Sequence, residues 1–82
     1  MLEYRYDTQL LIENANKTED ELAAAISAIP GDSLLAVGDR EMMKVHYHTN
    51  VPWKVLELCA SIGEIYDIVI EDMERQSHGL QG

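Results

Sequence analysis

Two histidines one residue apart, His46 and His48 in the stretch KVHYHTNVPWKVLE, are the residues of this chain best placed to do chemistry. On an extended segment the side chains of residues i and i+2 leave the same face, so the two imidazoles project together. A third donor stands in an earlier segment, Asp7 of YRYDTQLLIE. Two imidazoles and a carboxylate across a strand ladder make a three-ligand set for a divalent cation, with a position left for water or substrate. Spacing alone leaves a second reading open, in which His46 and His48 are solvated or salt-bridged surface residues. His78 lies in a polar C-terminal stretch and reads as solvated rather than as a further ligand.

Whether Asp7 meets the histidines depends on the elements that carry them. Tyr4, Tyr6, Thr8, Leu10 and Ile12 alternate with Arg5, Asp7, Gln9 and Leu11, the period-two pattern of a first strand. Thr18-Glu19-Asp20-Glu21 has the form of a capping box and opens a helix whose apolar residues are Leu22, Ala25, Ile26 and Ile29. Pro30-Gly31 stops it. The apolar run Ser33 to Gly38, the turn residues Gly38-Asp39-Arg40 and the alternating stretch Glu41 to His48 predict a hairpin of second and third strands. Thr49 or Asn50 is expected to cap a second helix with Pro52 in its first turn, apolar at Val51, Val55, Leu58, Cys59 and Ile62, and ended by Gly63. Tyr66, Ile68 and Ile70 then alternate with Asp67, Val69 and Glu71 as a fourth strand, and from Glu74 the chain turns polar, as a loose tail does.

This order predicts an α+β, ferredoxin-like β-α-β-β-α-β sandwich, in which a four-stranded antiparallel sheet carries two helices on one face. Residues 1–76 form the expected single domain and 77–82 a polar tail. Right-handed crossovers set the first and third strands side by side at the centre of the sheet. Met43, Val45 and Tyr47 are expected against the helices, which leaves Met42, Lys44, His46 and His48 on the open face beside Arg5, Asp7 and Gln9. Leu11, Leu34, Ala36 and Val69 are assigned to that open face too, and an apolar patch on a bare sheet predicts a covering partner, here a second copy in a homodimer. Trp53, Met42, Met43 and Met73 read as core or interface residues. Gly31-Asp32 and Gly38-Asp39 read as turns, since neither has the repeated glycines or lysine of a phosphate loop.

Composition excludes several classes of function. A net charge of −9, from 15 acidic against 6 basic residues, repels a phosphate backbone, so neither nucleic acid nor an anionic membrane surface is an expected partner. No apolar run approaches the roughly 18 residues of a bilayer span, and the sequence opens with no signal-peptide pattern, which predicts a soluble cytoplasmic protein. The single cysteine, Cys59, has no internal disulfide partner and falls on the apolar stripe of the second helix, as a small core residue.

Taken in order, YRYDTQLLIE, GDSLLAVGD, KVHYHTNVPWKVLELCASIGEI and IVIEDMERQ resemble the middle domain of the fatty acid kinase A subunit, one of the dihydroxyacetone-kinase-like bacterial proteins. The resemblance runs from Tyr4 to Gln76 and is most specific between Gly31 and Gly63. It implies a full-length protein in which a helical domain binds ATP and magnesium, this domain lies in the middle, and a further domain follows. It also implies a reaction in lipid metabolism: phosphorylation of a fatty acid held by a separate binding protein, giving acyl phosphate. The family's middle domain contributes a first-strand cysteine and the two histidines of V-H-x-H-T-N, implicated in metal binding or catalysis. His46 and His48 match those histidines, and Asp7 occupies the cysteine's position.

A carboxylate is a harder ligand than a thiolate, so a covalent cysteine role is excluded here while a metal role survives. Zinc is the first expectation for Asp7, His46 and His48, with iron and manganese also suited to that donor set, and the same residues are the candidate catalytic groups. Gln9 and Lys44 are expected to help organise the site. An ATP-binding domain does not fit into 82 residues beside this one, so no stand-alone kinase activity is expected. The competing expectation is a structural or regulatory ferredoxin-like dimerisation module with incidental histidines. A stand-alone metalloenzyme ranks below both, for want of a substrate pocket in the sequence.

Overall fold

In a computed structural model, which describes residues 2–82, the chain runs β1 (Tyr6–Glu13), α1 (Glu19–Ser27), β2 (Gly31–Gly38), β3 (Met42–Thr49), α2 (Pro52–Ile62), β4 (Glu64–Asp72) and α3 (Met73–Ser77). The four strands pair antiparallel in the order β2-β3-β1-β4, which is the ferredoxin-like arrangement with β1 and β3 at the centre. The core lies between the sheet and helices α1 and α2. Thr8, Leu10 and Ile12 of β1 and Met43, Val45 and Tyr47 of β3 are buried there, with Leu22 and Ile26 of α1 and Val55, Cys59 and Ile62 of α2. Alternation therefore sends Asp7, Gln9, Leu11, Lys44, His46 and His48 to the opposite, open face, as expected.

Local signals set the element ends. Thr18 caps α1 with the full capping box: its Oγ1 accepts from the Glu21 N–H at 3.3 Å and its own N–H donates to Glu21 Oε1 at 2.9 Å. At the β2–β3 turn Gly38 has φ +125°, where an added Cβ would meet the Met42 carbonyl oxygen, and Asp39 Oδ1 accepts from the N–H groups of Glu41 and Met42. Helix α2 differs from expectation. Its N-cap is Val51, with Pro52 as the first helical residue, because Thr49 and Asn50 are used elsewhere. Thr49 Oγ1 donates to the Pro30 carbonyl at 2.7 Å, and Asn50 ties down the segment before β1, accepting from the Arg5 N–H and donating to the Glu3 carbonyl.

Both edge strands carry a β-bulge, and the bulges overturn part of the predicted facing. Asp32 pairs with His48 and Leu35 with His46, so β2 spends three residues where β3 spends two, and Ser33 sits at φ 57°. The phase of β2 reverses there. Leu34 and Ala36 consequently pack on the core rather than the open face, and Leu35 and Val37 take their place on the open face, exposed at 43% and 41%. In β4 the extra residue falls between the pairs Leu11–Tyr66 and Gln9–Val69, with Asp67 at φ 50°. Tyr66 and Val69 therefore share the open face, while Ile70, opposite Thr8, has the other phase. Strict alternation along β4 failed for that reason.

The segment after β4 opens with the short helix α3. Asp72 caps α3 by accepting from the Arg75 N–H, and the Arg5 guanidinium reaches both Asp72 carboxylate oxygens at 2.8–3.0 Å. Arg5 is thus taken from the open face, where the sequence placed it. Among the described residues no helix is long and apolar enough to cross a membrane.

Candidate metal centre

The register of the two central strands brings the three candidate ligands together. Asp7 of β1 stands opposite His48 of β3, and Gln9 stands opposite His46. Across the ladder, the Asp7 Oδ1 atom lies 3.4 Å from His46 Nε2 and 4.0 Å from His48 Nε2, and the two Nε2 atoms are 3.1 Å apart. The circumcentre of a triangle with those sides is about 2.1 Å from each corner, the length of a zinc bond to imidazole nitrogen or carboxylate oxygen, about 2.0–2.2 Å. The residues present fit a divalent ion. Asp7, His46 and His48 are the metal-suited cluster among the described residues.

Electrostatics point the same way. A carboxylate oxygen and two imidazole nitrogens converge, and unless a proton or cation lies between them their lone pairs face one another. Asp7 has no Lys or Arg partner among the described residues; the nitrogen atoms close to its carboxylate are those of the two imidazoles and of Gln9. Gln9 Nε2 lies 3.3–3.5 Å from the Asp7 carboxylate oxygens and steers them toward the histidines. Lys44 does not join this group; it stands opposite Leu11 and Val37, two residue pairs further along the ladder. The three candidate side chains are between 18% and 27% exposed, so the cluster is partly open to solvent on one side.

The other half of the HYHTN stretch is architectural. Tyr47 and Thr49 alternate with the histidines and point into the molecule, where Tyr47 Oη donates to the Ile29 carbonyl at 2.6 Å and Thr49 Oγ1 to that of Pro30. Burial pushes the Tyr47 phenol up from its ordinary pKa. These two bonds fix the chain entering β2, and so Asp32, read from the sequence as a turn residue, lies in β2 opposite His48. Its Oδ1 is 3.6 Å from His48 Nδ1. Sequence reasoning missed it because the bulge after it is invisible to a period-two count; the Gly-Asp-Ser triplet was the available signal.

Residues outside this cluster do not compete for the role. Cys59 is fully buried, and burial pushes its thiol up to about 11, so it holds no thiolate at neutral pH. His78 follows α3 and is not part of the Asp7, His46 and His48 cluster.

Residues 3–80 match the FakA-like family, described as the middle domain of proteins like the A subunit of fatty acid kinase. The chain belongs to this family. Uncharacterised proteins of Staphylococcus aureus strains USA300 and NCTC 8325 are each 36% identical to it over 77 residues, 89% of this chain and 14% of theirs. This middle domain therefore spans a small fraction of the length of the curated relatives it matches.

Proposed function

We propose that this domain is the metal-holding accessory domain of a two-component fatty acid kinase, with Asp7, His46 and His48 as ligands of one divalent cation, zinc first. The observation that carries the reading is the convergence of three donors from two adjacent strands to separations of 3.1, 3.4 and 4.0 Å. Family membership supports the kinase context. Bound there, zinc supplies Lewis acidity toward an oxygen ligand or a structural cross-link between β1 and β3. The chain's own part is to hold Asp7 and both Nε2 atoms in place, mostly buried, and to leave the open side free.

The domain acts in the cytoplasm, beside the nucleotide-binding domain and the fatty-acid-binding partner that the kinase reading requires. Leu35, Val37, Met42 and Val69 on the open face are 41–52% exposed, an apolar set that favours a homodimer through this face and also supports the alternative of a purely structural dimerisation module. Elemental mass spectrometry on untagged, chelator-washed protein separates the two. Near-stoichiometric zinc that is lost in His46→Ala/His48→Ala supports the metal reading, and no metal in the parent protein leaves the dimerisation module. In the full-length protein, His46→Ala is expected to abolish acyl phosphate formation; unchanged turnover refutes the catalytic role.

A further inference from the structure

We propose that Asp32 is a positioning residue that holds His48 in the Nδ1–H tautomer, so that the Nε2 lone pair is aimed at Asp7 and His46. The inference deepens the metal reading above and rests on it for its purpose. His48 is flanked by one carboxylate on each side along the sheet: Asp7 from β1 lies toward Nε2, and Asp32 from β2 lies 3.6 Å from Nδ1. An imidazole serves as a ligand through one nitrogen only when the other carries the proton, and a carboxylate facing that second nitrogen selects the tautomer. At 3.6 Å the Asp32 carboxylate lies just beyond hydrogen-bond distance of Nδ1, close enough for its charge to favour a proton on that nitrogen.

The placement of Asp32 is built by the strand that bears the histidines. Tyr47 and Thr49 grip the Ile29 and Pro30 carbonyls just before it. Gly31 then passes so close to β3 that an added Cβ would collide with the His48 carbonyl oxygen and the Tyr47 ring. Immediately afterwards the Ser33 bulge lets Asp32 stay on the histidine face while Leu34 and Ala36 turn into the core. A regular strand with Asp32 on this face puts Leu34 and Ala36 there too. Asp32 itself is 56% exposed at its side chain, so its replacement is expected to leave the fold intact.

The test is long-range ¹⁵N–¹H correlation spectroscopy of metal-free protein at about pH 8.5, in which the two neutral tautomers and the protonated ring give distinct patterns. In the parent protein His48 is expected as the Nδ1–H form. Asp32→Ala is expected to shift it toward the Nε2–H form, and Asp32→Asn, whose amide oxygen still accepts, to retain Nδ1–H. Cobalt and zinc affinity, titrated in parallel, should fall about 10- to 100-fold in Asp32→Ala and recover in Asp32→Asn. An unchanged His48 tautomer in Asp32→Ala overturns the proposal. A shifted tautomer in protein that binds neither metal supports the positioning role and instead refutes the metal reading.

Discussion

Zinc should raise the melting temperature of this domain by an amount the site itself sets. Native protein presents Asp7 and both Nε2 atoms at bonding separation from one point, whereas the unfolded chain offers only the local His46-His48 pair, with Asp7 far away in sequence. Binding is therefore weighted to the native state. At free zinc one hundred times the dissociation constant, a native-only site stabilises by about 2.7 kcal/mol. Unfolding entropy of about 2.1 cal/mol/K per residue gives roughly 0.17 kcal/mol/K for a chain of 82 residues, so the expected rise is about 16 °C. Residual binding by the unfolded His-x-His pair lowers this figure, which makes it an upper bound. The assay is thermal unfolding followed by circular dichroism, with chelator and then with buffered zinc, for the parent protein, Asp7→Ala and His46→Ala/His48→Ala. Asp7→Ala should lose most of the rise and the double variant all of it. A rise of the same size in the double variant would refute the reasoning, and so would a parent protein indifferent to saturating zinc.

Gly31→Ala forces a Cβ against the His48 carbonyl and the Tyr47 ring, so β2 must move off β3 at an expected cost of about 1–3 kcal/mol, read from urea midpoints. A midpoint equal to the parent's contradicts the close approach. Acid should also weaken the fold through Asp72, whose carboxyl the Arg5 guanidinium holds below its ordinary value. A carboxyl depressed in the folded state stabilises fully above its unfolded value of about 3.9, and that contribution is lost as pH falls through the folded value. Asp72→Asn is thus expected to flatten the loss of stability below about pH 4; an unaltered acid slope rules the pair out as its source.

Much of the site was legible from side-chain type and alternation. His46 and His48 share a face because a strand's period is two, and Asp7 was placed beside them once the element order implied a central pairing of β1 with β3. The capping box at Thr18, the stop at Pro30 and the stop at Gly63 were equally local, since each depends on a few neighbouring backbone groups. Alternation failed at the two edge strands, where one extra residue at Ser33 and at Asp67 reverses the phase of everything beyond it. A bulge depends on how one strand fits its neighbour, which no single strand's pattern encodes.

The same distinction separates the candidate ligands from their support. Residue type alone marked Asp7, His46 and His48 as able to hold a cation, because chemistry of that kind needs those donors wherever they meet. Only the tertiary structure decided that Thr49 and Asn50 brace neighbouring segments instead of capping α2, that Arg5 leaves the open face for Asp72, and that Asp32 stands beside His48. Each of those outcomes is a competition for a partner distant in sequence, won by whichever group the packed core brings within reach.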